Sequence, residues 1–303
     1  MSNCPIAPKL SDYVKIEGAK FTVEDFCETL DGGQAFRWHR TDQFTDATPE
    51  YFGVFGNNFA KLKLGSDGQV WGAFRLDGKK ISEHAKELAE YLDCGTDYES
   101  VRKRLRATRD PAMMQALEIH PSLRILRQNP AEAIICFICS SSKRIVQIKQ
   151  CVQLLAEKLG DELSDGVFAL PGFDKIAAAP IETLRACKLG FRADYLKKTA
   201  EKIQRDNFDP MSLRELPYAE AKEYLTSLSG IGDKVADCIL LFGASRFEAF
   251  PVDTWIKQAM TELYSTPPDA KKIRAFAAEK FGDLSGFAQQ LIFAAKRKNL
   301  IKK

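Results

Sequence analysis

The sequence predicts an α+β protein, with an N-terminal antiparallel β-sheet domain and flanking helices over residues 1–120, followed by an all-helical domain over residues 121–303. Short aromatic or alternating segments separated by glycine-rich turns dominate the first hundred residues, a pattern typical of strands joined by hairpins. Beyond residue 121, apolar residues recur at helical spacing almost without interruption. A chain of 303 residues is long enough for two such cores.

Three segments of the first domain predict successive strands of one antiparallel sheet: YFGVFG (51–56), FAKLKLG (59–65) and VWGAF (70–74). Each is short and either rich in aromatic residues or alternating in polarity. The turns that bound them, GNN, GSDG and LDGKK, consist largely of residues that tight turns favour. From about residue 82 the pattern changes to helical spacing.

Helical periodicity then predicts helices over most of the remaining chain. The predicted helices cover residues 84–92, 98–105, 129–141, 144–160, 180–190, 192–204, 218–228, 234–243, 252–264, 269–282 and 286–298.

Charge is divided unevenly between the two predicted domains. Residues 1–120 contain 16 Lys and Arg against 19 Asp and Glu, whereas residues 121–303 contain 28 against 22. The second domain, with its excess of positive charge, is the half in which a polyanion would bind, although solvated helices can carry the same positive excess. No run of about 18 apolar residues indicates a membrane span, and the first residues lack the features of a leader peptide. We therefore expect an intracellular protein that is not secreted and does not associate with a membrane.

The eight cysteines and three histidines are scattered along the chain. A structural zinc site or a four-cysteine iron–sulfur cluster needs grouped ligands, and the only close pair is Cys136 and Cys139. These two lie in the apolar segment AIICFIC (133–139), where buried free cysteines are expected rather than redox chemistry. The sequence therefore predicts no metal ion and no cofactor.

The segment LSGIGDKVADC (228–238) joins two predicted helices through a very short loop. Gly230 and Gly232 can adopt backbone angles closed to other residues, and Ile231 between them is placed to fill the core between the helices. Such a turn leaves free N–H groups at a helix N-terminus, where the helix dipole also favours a phosphate. An ordinary corner between helices would explain the same glycines equally well.

Lys234 stands in the first turn of the second helix, where the dipole disfavours a cation. The simple explanation is an exposed lysine in contact with Asp237. The functional explanation is that the dipole and partial burial lower the pKa of Lys234 and make its amine a nucleophile near pH 7. Cys238, one turn later on the same face, would then line a pocket around the amine.

Asp253 ends the motif FPVD (250–253), which follows the hairpin. Pro251 fixes the entry of the chain, and Asp253 is placed as the N-cap of the next helix. An aspartate at this position usually indicates only a cap. Together with Lys234 in a hairpin suited to phosphate, it forms a more specific pair.

With these residues, the chain resembles the helix–hairpin–helix DNA glycosylases, specifically the 8-oxoguanine DNA glycosylases of the eukaryotic type. The hairpin and the P-V-D motif match that family's spacing, and four further motifs occur in the family's order. These motifs are GGQAFRW (32–38), ILRQNPAEAIICFICSS (125–141), KLGFRADYL (188–196) and FAQQLIF (287–293). The resemblance covers nearly the whole chain and implies the helix–hairpin–helix glycosylase fold for the second domain.

The resemblance implies a bifunctional glycosylase and AP lyase that flips a damaged nucleotide out of duplex DNA. Lys234 would attack the sugar C1′, expel the base and form a Schiff base that then loses the 3′ phosphate by β-elimination. Asp253 would stabilise the positive charge that develops on the sugar while also capping its helix.

The resemblance also implies a pocket for the flipped base. The carbonyl of Gly33 would accept the hydrogen that 8-oxoguanine carries on N7 and guanine lacks. Cys238 and Phe293 would sandwich the base, and Gln289, on the same helix face as Phe293, would read its Watson–Crick edge. Trp255 replaces a histidine of the family. Taken without the family, Gln289 and Phe293 would indicate only a half-buried helix stripe.

The residues implied to contact the opposite strand depart from the family pattern. Phe191 takes the position of the wedge that fills the vacated stack, and Arg192 beside it would reach the orphaned base. Ser142 and Lys143 stand where the family has asparagines, and Gln147 stands where an arginine reads the orphaned cytosine. Because these substitutions remove groups that would favour cytosine, the sequence predicts weakened discrimination of the opposite base.

The implied partner is double-stranded DNA containing oxidised guanine. We expect a monomer that acts in the cytoplasm or nucleoid of a bacterium or in the nucleus of a eukaryote. Two other functions stay open: a non-catalytic helix–hairpin–helix DNA-binding protein, and a glycosylase for alkylated purines. The first would not need Lys234, Asp253 and an aromatic pocket together, and the second usually lacks the lysine.

Overall fold

The computed structural model describes residues 8–41, 48–164 and 166–301. Within these residues the strands are β1 Val14–Lys20, β2 Trp38–Arg40, β3 Glu50–Phe55, β4 Asn58–Leu64, β5 Gln69–Phe74, β6 Glu162–Ser164 and β7 Val167–Phe168. The helices are α1 Val23–Asp31, α2 Ile81–Tyr91, α3 Tyr98–Ala107, α4 Pro111–Ile119, α5 Pro130–Ser140, α6 Ile145–Leu159, α7 Phe173–Ala178, α8 Ile181–Ala186, α9 Arg192–Arg205, α10 Tyr218–Thr226, α11 Asp233–Ala244, α12 Thr254–Tyr264, α13 Ala270–Phe281 and α14 Ser285–Arg297. Two 3₁₀ turns span Pro210–Arg214 and Gly282–Leu284.

Five strands form one antiparallel sheet in the order β1-β5-β4-β3-β2. The three strands that the sequence predicts are its centre, β3, β4 and β5. Strands β3 and β4 are joined by a tight turn in which Phe55 pairs with Asn58 and Gly56 has a φ of +55°. The outer strands β1 and β2 were not predicted. Strands β6 and β7 form a separate small hairpin.

The sheet and the helices each bury a core of their own. The sheet core packs α1 and α2 against one face through large side chains that include Phe26, Trp38 and Leu88. The helical core gathers α3 to α14, and α5 lies within it with most of its side chains buried. The sequence prediction of an α+β protein is thereby confirmed. The domain boundary at residue 120 stays a prediction.

Helix α5 explains two of the cysteines. Cys136 and Cys139 are both buried and free, as the sequence predicts. Burial raises the pKa of each thiol well above its ordinary value, so both act as small apolar side chains near neutral pH. In the described part of the chain, the helices are too short or too polar for any of them to cross a bilayer.

Candidate active site

Helices α10 and α11 meet in the tight turn that the sequence predicts. Ile231 is buried between them and fills the core of the hairpin. The hydroxyl of Thr199, on α9, donates to the carbonyl of Ser229 at 2.9 Å and ties the turn to the neighbouring helix. The backbone N–H groups that begin α11 therefore follow a turn that is fixed by the buried Ile231 and by the hydrogen bond from Thr199.

The two glycines of the turn have different reasons to be glycine. Gly230 has a φ of +80°, and a Cβ there would lie 2.5 Å from the ring of Tyr195. Gly232 has a φ of −94°, which any residue can adopt, and a Cβ there would meet nothing within 4 Å. The prediction that both glycines need special angles was therefore wrong for Gly232. Its missing side chain instead leaves the start of α11 open to a ligand.

Lys234 does not form the simple contact with Asp237. Asp237 is fully buried and accepts hydrogen bonds from the Tyr218 hydroxyl at 2.6 Å and from Lys222 Nζ at 2.8 Å. Lys234 points the other way, with its Nζ 5.9 Å from the centroid of the Phe137 ring. The amine therefore lies on the side of α11 that faces Phe137 of α5, away from Asp237.

Two neighbours raise the pKa of Lys234, first Cys238 and then Asp253, and they outweigh burial, which lowers it. Burial raises the pKa of the Cys238 thiol to about 11. The prediction of a lowered Lys234 pKa was wrong, since it counted the dipole and burial but not the effects of Cys238 and Asp253.

Asp253 is the N-cap of α12, as the sequence predicts. Its Oδ1 accepts from the backbone N–H of Ile256 at 2.8 Å. The bond fixes the carboxylate at the head of α12 and places Asp253 on the wall of the cavity that also holds Lys234.

That cavity has a volume of about 420 Å³ and brings together every residue that the sequence assigned to catalysis or to the base pocket. Gly33, from the loop after α1, closes it from the side of the sheet domain. Cys238 lines it on α11, and Gln289 and Phe293 line it on α14. Trp255 also lines it and is 47% exposed. The cavity can hold a planar base between a thiol and an aromatic ring, with a lysine and a carboxylate at its edge.

The two residues assigned to the vacated stack differ in their exposure to solvent. Phe191 is 55% exposed, as a wedge should be, whereas Arg192 is only 6% exposed. Arg192 Nε donates to the carbonyl of Ser141 at 2.7 Å, and its Nη1 donates to the carbonyl of Leu189 at 3.2 Å. Its guanidinium carbon lies 4.2 Å from the centroid of the Phe191 ring. In this conformation the Arg192 guanidinium packs against the Phe191 ring and does not extend into solvent, where the opposite strand would lie.

Of the other three residues assigned to the opposite strand, Lys143 lines the cavity, and Ser142 and Gln147 are exposed residues outside its lining. Ser142 is exposed and has a φ of +53°, a conformation that asparagine adopts more readily than serine. Lys143 lines the cavity, and its Nζ donates to the carbonyl of Lys188 at 3.0 Å. Gln147 is exposed but partly engaged, because its Oε1 accepts from the backbone N–H of Arg144 and caps α6.

Gln290 and Arg297 are two of the cavity residues that the sequence prediction missed. Gln290 lines the cavity beside Gln289, and the doubled glutamine of FAQQLIF was the available signal. Arg297 lines it as well, with its guanidinium carbon 5.8 Å from the centroid of the Phe293 ring. Its position four residues beyond Phe293, on the same helix face, could have indicated this.

Over residues 8–41, 48–164 and 166–301, no three histidine, cysteine, aspartate or glutamate residues are placed to hold one ion.

Comparison with known proteins identifies the family. Residues 19–134 match the family model of the 8-oxoguanine DNA glycosylase N-terminal domain, and residues 135–282 match that of the HhH-GPD superfamily of base excision DNA repair proteins. An N-glycosylase/DNA lyase of Arabidopsis thaliana is 30% identical over 285 residues, which cover 88% of this chain and 76% of that protein.

Solved structures give the same result. The Clostridium acetobutylicum 8-oxoguanine glycosylase/lyase, in complex with double-stranded DNA containing cytosine opposite 8-oxoguanine, superimposes with a TM-score of 0.81 and 36% identity over 91% of this chain and 92% of that one. Its apo-form gives a TM-score of 0.82 and 35% identity over 94% and 96%. The chain therefore belongs to the 8-oxoguanine DNA glycosylases, the two-domain N-glycosylase/DNA lyases of the HhH-GPD superfamily.

Proposed function

We propose that Lys234 is the nucleophile with which this N-glycosylase/DNA lyase excises 8-oxoguanine from duplex DNA. The observation that carries the proposal is the shared cavity: Lys234 and Asp253 line it together with Gly33, Cys238 and Phe293. A lysine and a carboxylate at the edge of a base-sized cavity provide a nucleophile and a negative charge at the same place. A protein that only bound DNA would need neither.

In the proposed reaction the neutral amine of Lys234 attacks C1′ of the flipped nucleotide and the base departs. Opening of the sugar then gives a Schiff base, and β-elimination from it releases the 3′ phosphate. Asp253 stabilises the positive charge on the sugar as the bond to the base breaks. The amine must first lose its proton, because Cys238 and Asp253 raise its pKa.

The pH dependence of the excision rate should report the loss of this proton from Lys234. Only the neutral amine attacks, and a raised pKa means that its fraction is small near neutral pH and grows as pH rises. We therefore expect the single-turnover rate at saturating protein to increase from pH 6 to pH 9. A rate that is flat or falls over this interval would contradict attack by a protonated resting lysine.

The base pocket that we propose uses the groups named from the sequence. The carbonyl of Gly33 accepts from N7–H of 8-oxoguanine, Cys238 and Phe293 contact the two faces of the base, and Gln289 reads its Watson–Crick edge. Trp255, partly exposed at the mouth, contacts the nucleotide as it enters. Burial of Gln289, which is 4% exposed, supports a role in a dry pocket, where an unpaired amide discriminates strongly.

Duplex DNA is the proposed partner, with one strand held at the start of α11. The free N–H groups there, at the positive end of the helix dipole, suit a phosphate. We further propose that the protein acts as a monomer where genomic DNA lies, which is the cytoplasm or nucleoid of a bacterium or the nucleus of a eukaryote.

The two glycines of the hairpin offer a matched test of this phosphate contact. Gly230→Ala should destabilise the fold by about 2 kcal/mol, because it combines a left-handed φ with a collision with Tyr195. Gly232→Ala should change stability by less than about 0.5 kcal/mol, yet weaken duplex binding about tenfold by covering the N–H groups. Urea denaturation and binding titrations measure the two effects. Unchanged duplex binding by Gly232→Ala would place the phosphate elsewhere.

Opposite-base selection should be weak in this protein. Phe191 fills the vacated stack, while Arg192 is held below it by the Ser141 carbonyl, and Gln147 is occupied as a helix cap. We expect excision of 8-oxoguanine opposite all four bases. The rate opposite cytosine should exceed the other three rates by no more than about tenfold, which is the discrimination that one side-chain contact to a base provides. The double variant Gln147→Arg, Ser142→Asn should partly restore the preference. Single-turnover rates on the four duplexes decide this, and a strongly cytosine-selective wild-type protein would contradict it.

Borohydride trapping tests the proposed function against both alternatives. Borohydride reduces a Schiff base to a stable covalent link, so a lysine nucleophile gives a protein–DNA adduct on an 8-oxoguanine duplex. A non-catalytic binding protein gives none, and a glycosylase for alkylated purines that lacks the lysine step gives none either.

A further inference from the structure

Gln290 is a buried residue of the cavity to which neither the sequence analysis nor the proposed mechanism assigns a role. It lies on α14, next to Gln289 in the chain, and is only 2% exposed. Both glutamines line the cavity together with Phe293. The wall of the cavity formed by α14 therefore contains two neighbouring amides rather than one.

Each of these amides has an unsatisfied atom. Among the residues that the structure describes, Gln289 Oε1 and Gln290 Nε2 are buried and have no hydrogen-bond partner. Native structures rarely leave buried polar atoms unpaired, because such an atom has lost its water and gained nothing in return. An acceptor and a donor beside a ligand cavity are explained if the ligand completes both.

The polarity of the two atoms matches one edge of one base type. The Watson–Crick edge of a guanine-type base has a donor, N1–H, next to an acceptor, O6. An adenine-type base has the reverse order, with an acceptor at N1 and the N6 amino donor beside it. Gln289 Oε1 can accept from N1–H, which leaves O6 for Gln290 Nε2.

We propose that Gln290 is a second specificity residue, whose Nε2 donates to O6 of the flipped 8-oxoguanine. The proposal deepens the proposed function and rests on it. Both atoms lie beyond the broad terminal torsion of glutamine, so each amide can turn toward a base that enters the cavity. An adenine-type base opposes the donor of Gln290 with its own N6 amino group unless both amides rotate together.

Three lesions separate this role from a structural one. Duplexes containing 8-oxoguanine, 8-oxohypoxanthine or 8-oxoadenine opposite cytosine are compared in single-turnover excision by the wild type, Gln290→Leu and Gln290→Glu. The first two lesions share N1–H and O6, whereas 8-oxoadenine lacks both. Gln115→Leu, at an exposed position of α4, is the control for the substitution itself.

Gln290→Leu should lower the rate on 8-oxoguanine and on 8-oxohypoxanthine about tenfold, the effect of one lost neutral hydrogen bond. Its rate on 8-oxoadenine should stay within about twofold of the wild type. Gln290→Glu, which replaces the donor by an acceptor of the same size, should lower the 8-oxoguanine rate further and raise the 8-oxoadenine rate. Gln115→Leu should change none of the three rates.

An equal loss on all three lesions, in either variant, would show that Gln290 only supports the helix and would overturn the proposal. Unchanged ratios between the lesions would overturn it too. Rates are taken per folded molecule, and the same-sized Gln290→Glu variant gives a second reading if the leucine variant folds poorly. Failure of the wild type to form a borohydride adduct on 8-oxoguanine would instead refute the proposed function itself.

Discussion

Replacement of Lys234 by glutamine should abolish the covalent adduct that the wild-type protein forms with an 8-oxoguanine duplex in the presence of borohydride. The amide cannot form a Schiff base, so no bond to C1′ is left to reduce. The excision rate should fall by roughly 10³-fold or more, because one catalytic group acts in both base release and strand cleavage. Adduct formation is measured on a denaturing gel and excision under single-turnover conditions.

DNA binding should survive this change, because the phosphate contact at the start of α11 uses backbone N–H groups. Lys86→Gln is the matched control, since it removes the same charge from an exposed position of α2. The control should form the adduct at the wild-type rate. If Lys234→Gln still forms the adduct in full, another lysine is the nucleophile and the assignment is wrong.

The fold could be predicted where one pattern persisted over several residues. Strands β3 to β5 are short segments between tight turns, rich in aromatic residues or alternating in polarity, and most helices after residue 121 keep their period. β1 escaped detection because only Ile16 and Ala19 of this strand are fully buried, and Gly18, with a φ of +74°, breaks the alternation between them. α1 was missed although Thr22 caps it by accepting from the N–H of Asp25, since a single nine-residue helix lay among strands.

The site was predictable as a set of residues, but its energetics were not. Lys234 and Asp253 could be paired from the sequence, whereas the direction of the Lys234 pKa shift depends on how near Asp253 and Cys238 lie once α11 and α12 have packed. The direction of the Arg192 side chain depends on the Ser141 carbonyl, 51 residues away in the chain. Such long-range contacts leave no local pattern to read.

Asp253→Asn should reduce the excision rate by roughly 10²- to 10³-fold and leave the protein folded. The loss is the cost of removing a fixed negative charge from the place where the sugar becomes positive. Stability should hardly change, because asparagine is an N-cap as good as aspartate and can still accept from the N–H of Ile256. The pH profile should shift as well. Without the carboxylate, burial acts on Lys234 with less opposition, so the rising limb of the rate should move to lower pH.

Asp269 provides the matched control for this variant. It caps α13 in the same way, accepting from the N–H of Lys272 at 2.8 Å, but it does not line the cavity. Asp269→Asn should therefore leave both the excision rate and its pH profile unchanged. If Asp253→Asn instead melts at a much lower temperature and keeps its activity per folded molecule, Asp253 is a helix cap only. The same carboxylate acts on two different positive charges, one on the sugar and one on Lys234. A lower rate with an unshifted pH profile would therefore mean that Asp253 stabilises the charge on the sugar but does not raise the pKa of Lys234.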